Sequence, residues 1–451
     1  MFPGQIFDRH ARSTALPVKV YSHRSRALRG VVVLSVLCGR MAGPVGRSLW
    51  NRIRGRREAS AAWAEALPVA LERLGPAFVK FAQIVGTRQD LLPPRICAAL
   101  GRLHDAVEPM SATQAAGALA LEYGPDWPDY LHDLDLVPIG SGTIACVYRA
   151  RLADGTEVAV KLRRPGLEPG MRRDVDLIQT MLQLAARMPG LRGIPLAEMG
   201  HVVGESVLRQ LDLGQEADNL AELGRNLSAL PFVTVPLPLP AASRPGALVM
   251  TYVPAIRGDV AAARVPGGAH RRELARQTMT AVFDMLFRTG LVHCDLHPGN
   301  LRIDGDRVVI LDAGLVYRVP DRVRELLALF FLNMGFRNGI GCANAVLESA
   351  QDVRENADLD SFRADMDELV DRYGGLTSRE FNLIAFAGDL FATQRRHGLY
   401  ASSQFVFPLL ALLMVEGSVR TLDPDLDFQR LARPVVMHAA HSPVSPTNRA
   451  G

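Results

Sequence analysis

The residues with the clearest chemical content lie in one stretch, Leu291-Val292-His293-Cys294-Asp295-Leu296-His297-Pro298-Gly299-Asn300, followed by Val308-Val309-Ile310-Leu311-Asp312-Ala313-Gly314. Phosphoryl transfer to a hydroxyl asks for few protein groups. One carboxylate orients or deprotonates the acceptor, while an Asn and an Asp hold the Mg²⁺ that neutralises phosphate charge. Hard magnesium prefers oxygen donors, which Asn and Asp supply. Asp295 suits the catalytic carboxylate and Asn300, on the same loop, a metal ligand. Asp312 suits the second ligand, because a hairpin of Leu301–Ile303 and Arg307–Leu311 would return it beside them. An isolated Asp–Asn pair is common by chance; the pair joined to such a hairpin is not.

A cation for the nucleotide phosphates is available upstream. In Glu157-Val158-Ala159-Val160-Lys161, alternation puts Val158 and Val160 on one face, Ala159 and Lys161 on the other. Read alone, Lys161 is an ordinary solvated strand end. Placed after a Gly/Ser/Thr loop and before the Asp/Asn/Asp set, it reads as the lysine for the α- and β-phosphates, with Ala159 facing adenine. The loop Gly140-Ser141-Gly142-Thr143 would cover the phosphates, since two glycines let backbone N–H groups approach anionic oxygens. Such a lysine needs a carboxylate partner. Glu216, on a helix expected from about Glu205 to Leu227, is the candidate among several nearby acids. The strand Leu248–Val253 would run to a hinge, with backbone near Thr251, Tyr252 and Val253 binding adenine and Met250 gating the pocket.

The elements that must carry these residues change character along the chain. Residues 1–60 are basic and irregular, with Arg47, Arg52, Arg54, Arg56 and Arg57 grouped near the end. Residues 61–132 read as a helical extension, in which Pro93–Pro94 ends one helix and Ser111 caps the next. Leu134–Ile139, Ile144–Arg151 and Glu157–Leu162 read as strands, the last two joined by an Asp-Gly turn. Residues 171–228 return to helical periodicity, Pro231–Pro240 is a loop or strand edge, and Ala247–Val253 is a buried strand. A helix over 271–290 ends at Gly290, the chain is mostly helical from Asp321 to about Leu422, and residues 431–451 form a tail, disordered from His438. The expected fold class is therefore α+β: a protein-kinase-like bilobal fold with a small antiparallel sheet lobe (133–256), a helical lobe (257–430) and an N-terminal helical extension. A doubly wound sheet would need strands alternating with helices throughout.

Bulk composition narrows the class further. The 451 residues carry a formal net charge of +4 and show no clustered basic face of the kind nucleic-acid binding needs. Five scattered cysteines, with no CxxC pair, argue against a disulfide framework or zinc site and suit a reducing cytoplasm. Cys294 reads as a small packing residue. The apolar runs Val31–Cys38 and Phe405–Val415 are far shorter than the roughly 20 residues a bilayer span needs. The start, with His10, Arg12 and Ser13, lacks the basic-then-apolar order of a signal peptide. The arginine group before residue 60 leaves peripheral contact with anionic lipid as an expectation.

From about Leu74 to Asp427 the chain resembles the UbiB (AarF-type) atypical kinases, which include the coenzyme Q biosynthesis kinases. Leu74-Gly75-Pro76-Ala77-Phe78-Val79-Lys80-Phe81-Ala82-Gln83, with Thr87–Pro93, resembles that family's KxGQ block. Gln210-Leu211-Asp212 before Gln215-Glu216-Ala217 is similar to its ExD motif and helix-C glutamate, and Glu416–Pro424 to a further family segment. The resemblance implies that Lys80 and Gln83 reach over the nucleotide pocket and obstruct protein substrates, with Asp212 in the same regulatory network. It also implies ATP and Mg²⁺ as cofactors, with Asp295, Asn300 and Asp312 in catalytic and metal positions. Ala82 replaces the motif Gly, Gln210 the ExD Glu, and Ala313 the usual Phe. Gly140 and Gly142 stand where the family usually has alanines, which makes this loop more like the flexible loop of true protein kinases. The membrane-spanning tail seen in many members is missing, so stable membrane insertion is not expected.

These readings converge on an ATP-binding kinase-like enzyme with ATPase or small-molecule/lipid phosphotransferase activity, and the resemblance implies a role in isoprenoid-quinone or lipid metabolism. Two alternatives stand beside it: a soluble small-molecule phosphotransferase of the aminoglycoside or choline kinase type, and a non-enzymatic ATP-dependent scaffold.

Overall fold

A computed structural model describes residues 26–53, 61–86, 94–100, 103, 108–188, 196–257, 268–297, 299–353, 357–376 and 380–441 of the chain. Of the residues singled out above, Arg54, Arg56, Arg57, Thr87–Pro93, Pro298 and everything before residue 26 or after 441 lie outside them.

The extension consists of α1 (Arg26–Ile53), α2 (Ala61–Leu74), α3 (Pro76–Val85), α4 (Pro94–Leu100) and α5 (Ala112–Tyr123). Helix α1 replaces the irregular segment expected there. Its backbone carries Arg47 and Arg52, and it is docked by Val33, which packs with Leu74, Phe78 and Ile178. Each such buried side chain contributes about 1.5–3 kcal/mol relative to exposure. The buried Arg29 adds a two-toothed pair with Asp174, its Nε and Nη2 each 2.7 Å from a carboxylate oxygen, and also reaches the Leu74 carbonyl. Gly75, at a φ of 111° that side-chain-bearing residues rarely adopt, turns the chain between α2 and α3 and so sets the line of α3. Pro94 opens α4, as a proline at the first helical position does without losing a hydrogen bond, while Pro93 lies outside the described residues. Ser111 does cap α5, in a reciprocal box with Gln114.

The small lobe is built on β1 (Gly140–Ser141), β2 (Ala145–Arg151), β3 (Glu157–Arg163) and β5 (Ala247–Thr251), antiparallel in that order. The expected strand Leu134–Ile139 is not one. Pro138 has no N–H to give a ladder, and Asp135 turns its carboxylate back onto the Val137 N–H, so the segment only skirts β2 through the Asp135 and Ile139 amides. Between β3 and β5 the chain forms α6 (Leu167–Ala185), α7 (Leu196–Arg209), α8 (Leu213–Asn226) and the short β4 (Val233–Thr234). The single helix expected over Glu205–Leu227 is thus two. Asp212 starts the second by accepting the Gln215 N–H, and buried Leu211 and Leu213 fix the break.

Strand β6 (Ile256–Arg257) and helix α9 (Gly268–Phe283) lead into the helical lobe, and α9 passes into a π-helical turn, Asp284–Thr289, that closes at Gly290 with φ 72°. Then come β7 (Leu291–His293), β8 (Leu301–Asp304), β9 (Arg307–Ile310) and β10 (Val316–Arg318). Strands β4, β9, β8 and β6 form one sheet, and β7 pairs with β10. The lobe continues with α10 (Asp321–Gly335), α11 (Gly339–Ser349), β11 (Ala350–Val353), α12 (Leu359–Tyr373), α13 (Leu383–Arg396), β12 (Leu399–Ala401), α14 (Val406–Leu422) and α15 (Phe428–His441). The tail expected from residue 431 is therefore helical through His441, where Ala432 and Val436 are buried.

The two faces of β3 serve different cores. Val158, Val160 and Leu162 pack with α5, Tyr148 and Val249. Ala159 joins the larger core that runs from Ile144 and Met250 through Phe283, Leu291 and Ile310 to Val415. The fold is α+β and kinase-like: a small antiparallel-sheet lobe, a helical lobe and N-terminal helices packed on β3, α6 and α7. All five cysteines are free thiols, and only Cys38 is exposed. Burial pushes the Cys294 thiol well above its ordinary range, as expected of a packing residue.

Candidate active site

Lys161 and Asp312, 151 positions apart, meet in the cleft between the lobes. Lys161 Nζ donates to Asp312 Oδ2 at 2.6 Å and to Glu216 Oε1 at 2.7 Å. The alternation of β3 delivers Lys161 to the cleft face beside Ala159. Helix α8 delivers Glu216 from its first turn, because Asp212 starts the helix one turn before it. Asp312 sits at φ 55°, an unusual conformation for a non-glycine residue that its surroundings must enforce. Its Oδ1 accepts the Gly314 N–H at 2.9 Å, and Asn219 of α8 holds the intervening Ala313 carbonyl at 3.0 Å.

The charges respond to this packing. Burial alone would pull the Lys161 ammonium down, but Asp312 and Glu216 outweigh it and raise the group above its ordinary value. Loss of solvent would raise Asp312, yet the charge and hydrogen bond of Lys161 hold that carboxyl well below the usual carboxylate range. Glu216 goes the other way. Burial first, then the nearby Asp312 charge, exceed the attraction of Lys161 and push it up to about 7. Its Oε2 has no hydrogen-bond partner among the described residues.

The hairpin β8–β9 returns the chain as expected, and Leu311 N–H donates to the Asn300 carbonyl at 2.8 Å. Asn300 spends its side-chain N–H on the Asp295 carbonyl at 3.0 Å, leaving its amide oxygen as a donor atom for a cation. His293, which the sequence reading passed over, ties the two loops together. Its Nδ1 accepts the Asp295 N–H at 3.1 Å, so the ring proton sits on Nε2, which faces the carbonyls of Asp312 and Leu311. Burial depresses this imidazole and keeps it neutral. Its place one strand residue before an Asp-containing loop was the available signal.

Asn300 and Asp312 fit the magnesium expected of them. Among the described residues no group of three or more His, Cys, Asp or Glu stands ready to hold a metal alone. A donor set of one amide and one carboxylate suits an ion that keeps waters and takes its other ligands from substrate phosphates. The Asp312 side chain is 37% exposed, and each of its oxygens, though it already accepts one hydrogen bond, keeps a further lone pair that such an ion could take. When bound, the ion would offset the charge of the phosphates.

Around this centre, Gly140 and Ser141 pair with Val147 and Cys146 as β1, and the turn at Gly142 is closed by its N–H to the Ala145 carbonyl. Thr143 is buried, and its hydroxyl has no partner among the described residues. Ala159 pairs with Met250 in the sheet and both are buried. The amides of Thr251 and Tyr252 are already spent on the carbonyls of Leu237 and Glu157, while that of Val253 makes no hydrogen bond among the described residues. The Tyr252 ring lies under the Arg149 guanidinium, 4.8 Å from its centre.

From the extension, Lys80 of α3 brings Nζ to 3.6 Å from Asp295 Oδ2, and His297 Nε2 stands 4.0 Å from the same oxygen. Gln83 donates to the Leu103 carbonyl at 3.2 Å. Asp212 serves as the cap of α8, and the substituting Gln210 is buried and turned onto the Ser206 carbonyl at 3.5 Å.

Comparison with known proteins agrees with this architecture. The structure is similar to that of the Rv3197–erythromycin complex from Mycobacterium tuberculosis, at a TM-score of 0.57 and 19% identity over 92% of this chain and 100% of that one, a likeness of fold. Against the kinase domain of PknI from the same organism the identity is 16% over 58% of this chain and 96% of that one, with a TM-score of 0.25, too loose to bear on the site. Residues 366–427 match the UbiB helical domain. Residues 102–346, more than half of the sequence, match the ABC1 atypical kinase-like domain, and the chain belongs to that family of ATP-using, kinase-like proteins.

Proposed function

We propose that this protein is a Mg²⁺-dependent enzyme that moves the terminal phosphoryl group of ATP to a small or lipid-derived hydroxyl, or to water. The observation that carries the proposal is the convergence of Lys161, Glu216 and Asp312, with Asn300 on the adjoining loop and Asp295 beside it. In this reading Lys161 binds the α/β-phosphates and Glu216 holds its ammonium. Ala159, Met250, Tyr252 and Val253 enclose adenine, and the loop Gly140–Thr143 covers the phosphates. Asp295 takes the proton of the acceptor hydroxyl as its oxygen bonds to phosphorus and the bond to ADP breaks.

Two features support a small acceptor over a protein. Lys80 of α3 stands over Asp295. The segment after Gly314 is pinned at once, with β10 paired to β7 and Val319 N–H donating to the Gly290 carbonyl, leaving no loop to hold a peptide. A lipid setting gains support from α1, where Leu28, Val31 and Leu34 are each half or more exposed on a helix whose charged residues are all arginines. The isoprenoid-quinone link rests on family membership alone.

The test is MgATP binding and turnover by purified protein, with and without anionic vesicles and phenolic quinone-precursor analogues. Asp312→Asn should weaken Mg-dependent nucleotide binding at least about 100-fold, the scale of losing a preorganised charge at a phosphoryl site. Unchanged affinity in that variant contradicts the assignment. Rapid transfer to one soluble alcohol, unaffected by vesicles, would favour the aminoglycoside/choline kinase type of chemistry.

A further inference from the structure

Glycines at 140 and 142 give the phosphate-covering loop a backbone that, by itself, has many conformations to lose on meeting a nucleotide. The structure holds that loop from behind. Arg164 follows directly on β3 and is buried, with 8% of its surface exposed. Its Nε donates to the Gly142 carbonyl at 3.1 Å, and its Nη2 donates to Ser141 Oγ at 3.0 Å and to the Glu108 carbonyl at 2.8 Å. Its own N–H donates to the Ile144 carbonyl at 2.9 Å. One residue thus bonds two of the loop's positions, Ser141 and Gly142, and Ile144 just after it, and ties them to the segment that leads into α5.

The acceptors are unusual for a buried guanidinium. All are carbonyls or a hydroxyl, and no carboxylate within salt-bridge distance offsets the charge among the described residues. Arg164 also borders a pocket of about 220 Å³ that Glu122 and Glu168 line as well, neither within ion-pair distance of it among the described residues. A planar fork that donates in several fixed directions suits this task in a way a lysine ammonium does not.

We propose that Arg164 is a positioning residue that clamps the loop Gly140–Thr143 in its nucleotide-ready shape, so that ordering the loop is not left to the binding of ATP. The proposal rests on the reading of that loop as the phosphate cover. It predicts that disturbing Arg164 weakens binding of nucleotides with phosphates, leaves adenosine binding unchanged and alters turnover at saturating ATP much less than KM.

Hydrogen exchange of the Gly142–Ala145 amides, alongside MgATP and adenosine affinities, tests it in Arg164→Lys. This variant keeps the charge and loses the fork. Loop exchange should rise about ten-fold and MgATP affinity fall about ten-fold, the scale of one lost charge-assisted hydrogen bond. Unchanged exchange overturns the clamp, whether or not affinity changes, and faster exchange with normal MgATP affinity overturns its use in binding. If Arg164→Lys does not fold, Ser141→Ala removes one loop acceptor and leaves the arginine in place. The same shifts, smaller, are then expected, and their absence counts equally against the proposal. A wild-type protein that binds no ATP removes the parent reading, while the exchange comparison still decides whether Arg164 orders the loop.

Discussion

Two lysines face two aspartates across the same cleft, and they are held very differently. Lys161, in the small lobe, is gripped at 2.6 and 2.7 Å by two carboxylates, one of them fully buried. Lys80, in the extension, stands 3.6 Å from Asp295, beyond hydrogen-bond length for that pair. Its helix owes its place to contacts outside the cleft, among them α3 against α6 and α7 and the Gly75 turn. The contrast is one of grip: Lys161 is hydrogen-bonded to both of its carboxylates, whereas Lys80 meets Asp295 only as a longer ion pair.

The heaviest blow to that contrast comes from the gripped lysine. In Lys161→Met, Glu216 and Asp312 face each other with no cation between them. Nucleotide turnover should fall about 100-fold or more, as on loss of a preorganised donor. Folding should also suffer, by about 3 kcal/mol, because removing one partner leaves a charge buried without compensation. Turnover and a denaturant melt measured on the same preparation separate the two effects. A variant as stable and as active as the wild type would mean that Lys161 is only a strand end.

Lys80 should behave in the opposite sense. Its pair with Asp295 stands at 3.6 Å and involves one carboxylate, so Lys80→Met should cost less stability than Lys161→Met, which leaves two hydrogen-bonded carboxylates without their cation. Freeing Asp295 from that pair should raise basal ATP turnover about two- to five-fold, the rate equivalent of 0.5–1 kcal/mol. A fall in turnover would mean that Lys80 takes part in the reaction.

Much of this site was legible because local rules and chemistry point the same way there. Strand alternation fixes the face of Lys161, and a short hairpin brings back Asp312 whatever packs around it. The departures arise where tertiary contacts decide. Gly30, Gly39, Gly43 and Pro44 disguise α1 as irregular chain, yet Val33 and the Arg29–Asp174 pair make it a helix. Continuous helical periodicity hides the break at Gln210–Asp212, which one capping carboxylate creates. Leu134–Ile139 looks like a strand by composition, while Pro138 and the Asp135 turn deny it a ladder. Arg164 and His293 escaped notice because their work is done through backbone carbonyls and amides, which sequence does not display.

The smallest effect expected concerns the carboxylate that shares Lys161. Glu216 titrates near its ordinary 4.5 when unfolded and at about 7 when folded. Its raised value means the folded state binds that proton more tightly. The associated stability is full below pH 4.5 and is lost as pH rises through about 7. Asp312, shifted downward, and Lys161, shifted upward, both change charge outside this window and contribute a constant there. Glu216→Gln keeps a hydrogen-bond acceptor for Lys161 and removes the titration. Thermal melts between pH 4.5 and 7 should therefore show the Gln variant gaining on the wild type as pH rises. The reverse slope would mean that Glu216 is ionised throughout, with Lys161 outweighing both burial and Asp312, and the grip on Lys161 would then be that of two full charges.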